Sequence, residues 1–170
     1  MKKNAVIIFM FFFLLIVGCS KTERDNEYYQ LAKKSLNEKK YYDALKYFQK
    51  IVDEYPKSKH YKDALLQTGE LTQGLVDKKL TKKEAYKKAI EIYIKFQKKY
   101  PQDGKAPQAL FMTGFLQANE LGKLEEAKAT YNKFLELYPN SEMAQSAKAE
   151  LENLGLSPDQ ILEQKIKNNK

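Results

Sequence analysis

Three Tyr-Pro pairs recur along the chain, Tyr55-Pro56, Tyr100-Pro101 and Tyr138-Pro139, and each closes the same pattern. Twelve residues before each proline stands an alanine: Ala44, Ala89 and Ala127. Eight before is an aromatic (Phe48, Tyr93, Tyr131), and five before is a large apolar residue (Ile51, Phe96, Phe134). Fifteen before comes Tyr41, Tyr86 or Leu124. Eight residues after each proline is alanine again: Ala64, Ala109 and Ala147. Thirteen after is Gly69, then Gly114, then Glu152 in the last copy. Such an internal period leaves few folds open, because each copy buries its apolar face only against its neighbours. Steps of four and three place alanine, aromatic and large apolar residue on one helix face. The alanine lets a second helix pass close, and the aromatic fills the space beside it. The proline stops the helix and turns the chain. The product is a series of helix–turn–helix hairpins.

This small–Gly–aromatic–Ala–aromatic–Pro order resembles the tetratricopeptide (TPR) repeat. The resemblance covers about residues 25–154 and implies an all-α, TPR-like α-solenoid of about three helix hairpins plus a C-terminal capping helix. The proline-to-proline spacings are 45 and 38, against about 34 in a regular repeat. The first two copies share thirteen residues from proline to glycine, so the difference of seven falls between Gly69 and Ala89. A long turn is expected at 76–81, after which Thr81-Lys82-Lys83-Glu84 reads as a capping box. The expected helices are 26–38, 41–55, 60–76, 82–99, 106–121, 124–138 and 141–154. A second capping box, Ser157-Pro158-Asp159-Gln160, starts a short helix in 155–170.

Chemistry is sparse. One Cys and one His among 170 residues allow no internal disulfide and remove most zinc and iron sites. His60 lies in a Pro-Lys-Ser loop and reads as a solvated loop residue rather than half of a nucleophile pair. Glu125-Glu126 suits the first turn of a helix. The chain contains none of GxSxG, a P-loop, HExxH or GxGxxG. No enzyme activity, cofactor or metal is expected. The net charge is +8, and Arg24 is the only arginine among 30 basic residues. Readers of bases favour arginine for its bidentate fork, so no nucleic-acid partner is expected. The lysine pairs read as solvent faces of helices, and most tyrosines as packing residues.

The N-terminus reads as an address. Met1-Lys2-Lys3 is basic, and Ala5 to Val17 runs without charge. Thirteen apolar residues reach only ~20 Å as helix, short of the ~30 Å hydrocarbon core. This is a signal peptide, not a stable span. The run ends Ile16-Val17-Gly18-Cys19-Ser20, which resembles a bacterial lipobox. The resemblance implies that Cys19 is lipidated, that residues 1–18 are removed, and that acyl chains such as palmitate hold the protein on a membrane. Ser20 resembles the class sorted to the outer membrane, so the expected location is its periplasmic face. Residues 19–24 would be a short linker, its last five residues reaching at most ~17 Å.

Lipobox plus irregular TPR-like units with Tyr55-Pro56-Lys57-Ser58 and Tyr138-Pro139-Asn140-Ser141 resembles the BamD-like envelope lipoproteins of the outer-membrane β-barrel assembly machine. It is also similar to the TPR domain of the coordinator protein of the Tol–Pal system. Both resemblances imply protein docking rather than catalysis. The implied function is a lipid-anchored scaffold or adaptor for other envelope proteins, in outer-membrane protein assembly or envelope maintenance. The alternative is a stand-alone peptide- or glycan-binding periplasmic module. In TPR-like solenoids the first helix of each hairpin lines the concave face. The expected groove is Tyr29, Lys33 and Asn37, then Asp63, Leu66, Glu70 and Gln73, then Gln108, Phe111, Phe115 and Asn119. Its aromatics suit an extended or helical protein segment, although Phe111 and Phe115 equally suit packing between hairpins.

Overall fold

The computed structural model describes residues 20–74 and 80–168. Within them the chain is all-α and TPR-like. The helices are α1 (Ser20–Asn37), α2 (Tyr41–Glu54), α3 (Tyr61–Gly74), α4 (Lys82–Lys99), α5 (Ala106–Phe115), α6 (Leu124–Leu137), α7 (Ala144–Glu152) and α8 (Pro158–Asn168). A π-helical turn, Leu116–Glu120, continues α5. The expected helices fall on these within a few residues. The linker does not: Ser20 to Arg24 belong to α1. Five helical residues rise only ~7.5 Å, so this stretch is less than half as long as its extended form. Cys19, the signal segment and most of the turn at 76–81 lie outside the described residues. Of the described helices none is long and apolar enough to cross a membrane.

The chain forms two compact units, one up to Leu71 and one from Thr72 onward. In the first, α1 packs against α2. The hairpin between them closes on Lys39, which adopts the left-handed conformation at φ 57°. The Lys40 N–H returns to the Ser35 carbonyl at 2.8 Å, satisfying an end-of-helix acceptor. Ala44, Phe48 and Ile51 are fully buried on α2. In the second unit α4 packs on α5, α5 on α6, and α6 on α7. Ala89, Tyr93 and Phe96 of α4 repeat the buried set, as do Ala127, Tyr131 and Phe134 of α6. The alanines after each proline, Ala64, Ala109 and Ala147, are fully buried too. Gly114 marks a very close crossing: a Cβ there would stand 2.8 Å from the Tyr131 ring.

The position fifteen before each proline behaves unevenly. Tyr86 is buried, but Tyr41 and Leu124 are exposed at 44% and 40%. Both open a helix that starts after a tight hairpin, where no preceding turn covers the first side chain. Tyr42 is exposed as well, so these two tyrosines depart from the packing role expected of them.

The three Tyr-Pro turns share one hydrogen-bond pattern. The N–H groups of Tyr55, Tyr100 and Tyr138 reach back to Ile51, Phe96 and Phe134 at 2.8–3.0 Å. Each tyrosine carbonyl then accepts from the residue three on: Ser58, Asp103 or Ser141. That residue's side chain accepts a backbone N–H two further on, at His60, Lys105 or Met143. The rule is therefore Tyr-Pro-x-[Ser or Asp]. It explains why the helix expected from residue 141 begins at Ala144: Ser141 to Met143 are spent on the turn. Both expected capping boxes form, Thr81 with Glu84 and Ser157 with Gln160.

Candidate protein-docking surfaces

In the first unit, Tyr29 of α1 and Asp63 of α3 meet. The Tyr29 hydroxyl donates to Asp63 Oδ2 at 2.6 Å. The His60 ring stacks on Tyr29, centroids 4.0 Å apart and planes 12° from parallel. His60 Nε2 lies 3.1 Å from Asn26 Oδ1, and Phe48 meets Tyr29 edge-on at 6.1 Å. The hydrogen bond to Asp63, then burial, push the Tyr29 hydroxyl up to about 12. Its contribution to stability is present below pH ~10, the usual phenol value, and is lost as pH rises through about 12. Burial first, and the Lys59 charge second, hold the His60 imidazole below its ordinary value. His60 is thus half-buried and engaged, not the solvated loop residue expected. It lies 34 residues from Asn26, and nothing in the local sequence links the two.

Of the other expected groove residues in this unit, Lys33 and Asn37 are exposed on α1, one and two turns beyond Tyr29. Glu70 is half-buried and accepts from Gln67 at 2.7 Å. Leu66 is a correction. It is only 6% exposed and cannot line an open groove. The buried side of α3 takes in Ala64, Leu65, Leu66, Thr68 and Thr72, a wider arc than one packing stripe, and it reaches the position expected to face outward.

In the second unit the expected line of residues divides. Gln73 accepts the Tyr93 hydroxyl at 3.0 Å, which spends it inside the fold. Phe111 meets Tyr131 at 5.7 Å and Phe134 at 6.2 Å, so it is a packing residue within its hairpin. Phe115 is half-buried and Asn119 exposed. Gln108 lies in a cleft of about 630 Å³ beside the Tyr138 turn, with Lys105, Pro107, Tyr138 and Pro139. Tyr138 ties this turn to the Tyr100 turn: its hydroxyl donates to the Pro101 carbonyl at 2.9 Å and accepts from Gln97 at 3.2 Å. Asn119 borders a different cleft, about 570 Å³, with Leu124, Leu154 and Ile161. A π turn follows Phe115, and its wider winding sets Asn119 off the line of the residues before it. It carries its own polar support: Gln117 is buried, and Thr130 donates to its side chain at 2.7 Å. Helical periodicity gives no signal for that turn.

Among the described residues, the expected positions therefore gather on the Tyr29–His60–Asp63 face of the first unit and at the clefts of Gln108 and Asn119 in the second. Neither brings together a nucleophile with a base, nor a cluster of metal ligands among the described residues. Both offer aromatic and amide groups, which suit peptide contact. No curated protein matches the sequence. A family model described as YfiO, outer membrane lipoprotein, matches residues 21–155. That span takes in α1, but for its first residue, and every helix on to α7, and the chain belongs to this family of outer membrane lipoproteins.

Proposed function

We propose that the protein is a lipid-anchored adaptor of the cell envelope that docks other proteins on its TPR-like hairpins, serving outer-membrane protein assembly. The family match over residues 21–155 carries this reading. The lone Cys19 in its lipobox setting supplies the anchor, since two or more acyl chains hold a protein stably where one does not. The docking work falls to Tyr29, Lys33, Asn37 and Asp63 in the first unit, and to Gln108, Phe115 and Asn119 in the second. Leu66, Gln73 and Phe111 support them from within the fold.

Two measurements test the proposal. Mass spectrometry of the mature N-terminus should find residues 1–18 absent and Cys19 acylated; an unmodified Cys19 removes the anchor from the reading. A photo-crosslinking residue at Lys33 or Asn119, in living cells, should capture a small, reproducible set of envelope proteins. Capture at neither position, or equal capture from an exposed control site such as Lys46, would overturn the docking surface.

A further inference from the structure

Helices α2, α4 and α6 occupy the same place in the repeat, yet their outer faces differ. Helix α2 carries two lysines against three acids, and α6 likewise two against three. Helix α4 carries seven lysines against two glutamates. The three helices bury the same kinds of residue at the same spacing, so packing does not demand this excess. Lys83, Lys87, Lys88, Lys95, Lys98 and Lys99 are all exposed. Taken at 100° per residue they fall within one arc, opposite Ala89, Tyr93 and Phe96. Two acids share that arc, Glu84 and Glu91, and Glu84 is engaged in the capping box with Thr81. The helix is ~27 Å long, which gives a long stripe of predominantly positive charge.

We propose that the α4 lysine stripe is a contact surface for an anionic phospholipid membrane. Three features favour lipid over an acidic protein. The basic residues are all lysines, whose strongly hydrated ammonium groups are depleted at protein interfaces. In a headgroup layer they keep their water and still gain attraction to the anionic surface, residue by residue. The aromatic side chains of α4 named in the repeat, Tyr86, Tyr93 and Phe96, are all buried, so the stripe lacks the anchors on which protein interfaces depend. Its surface is a helix flank rather than a groove, which fits an extended planar partner. This contact is separate from acylation of Cys19 and would hold for a chain that carries no lipid.

The test uses the chain from residue 19 with Cys19→Ser, which contains every described helix. Flotation is measured with phosphatidylcholine vesicles and with vesicles containing about a third phosphatidylglycerol, at low and high salt. Binding is expected on the anionic vesicles alone and should fall steeply with salt. The triple variant Lys87→Glu, Lys88→Glu, Lys98→Glu should bind those vesicles at least about tenfold more weakly. A control with the same charge change elsewhere, Lys46→Glu, Lys128→Glu, Lys133→Glu, should keep most of the binding. A glutamine version of the α4 triple, checked by its melting temperature, guards against a folding defect. Equal loss in both glutamate triples would mean net charge acts without a face, and the proposal fails. Absence of binding to anionic vesicles by the unaltered face also overturns it, and leaves the stripe to an acidic protein.

Discussion

Helices α4 and α6 lie in one compact unit and present the same buried series, alanine, tyrosine and phenylalanine, in the same order. Their other properties diverge. One is strongly basic outside and the other is nearly balanced. The Tyr93 hydroxyl of α4 finds Gln73, whereas the equivalent Tyr131 hydroxyl of α6 is buried with no hydrogen-bond partner. Burial therefore pushes Tyr131 far above the ordinary phenol range. The pattern that makes the hairpin is steric: small, aromatic and large apolar residues at set intervals. The polar decoration is free to differ, and it is where a copy acquires its own role.

The steric half of that contrast should yield the largest effects. Ala89→Leu and Ala127→Leu should each cost about 1–3 kcal/mol by overpacking a closed crossing, read by chemical denaturation. Values under about 0.3 kcal/mol at either site would break the equivalence of the two helices. The polar half predicts an asymmetry. Tyr93→Phe should cost about 1 kcal/mol, while Tyr131→Phe should cost nothing or gain up to about 1 kcal/mol, since it removes a buried unpaired hydroxyl. Equal losses would mean that Tyr131 has a partner after all.

A smaller pair of changes sharpens the comparison at the turns. Lys39 and Gly122 each stand five residues before a repeat alanine, and both are left-handed, at φ 57° and φ 64°. Lys39→Gly should stabilise by about 0.5–1 kcal/mol, and Gly122→Lys should destabilise by a similar amount. A Cβ on Gly122 would meet nothing within 4 Å, so the cost there is backbone alone. The smallest effect belongs to the outer face. Lys87→Glu with Lys98→Glu on α4 should move the melting temperature by less than about 2 °C, because these residues are exposed and the packing does not use them. A larger drop would make the stripe structural.

Much of this architecture is legible in the sequence because it rests on local sterics. Alanine at a crossing and proline after a helix recur at fixed steps within each copy, so their spacing alone places the helices. The capping boxes at Thr81 and Ser157 are local for the same reason. The candidate surfaces are less legible. Helical register sets Tyr29 and Asp63 outward on separate helices, and the fold brings them together. The same register turns Leu66 outward, yet the wide buried arc of α3 covers it. Spacing leaves packing and binding both open for Phe111 and Phe115, and the rings of Tyr131 and Phe134 decide the matter for Phe111.

The helices, their capping boxes and the Tyr-Pro turns follow from the order of residues alone, since each is set by residues a few positions apart. The stack of His60 on Tyr29, the bond that supports the π turn, and the tie from Tyr138 to Gln97 came only with the packing of the helices. They join groups 13 to 41 residues apart, and local spacing carries no record of which side chains converge once the helices pack.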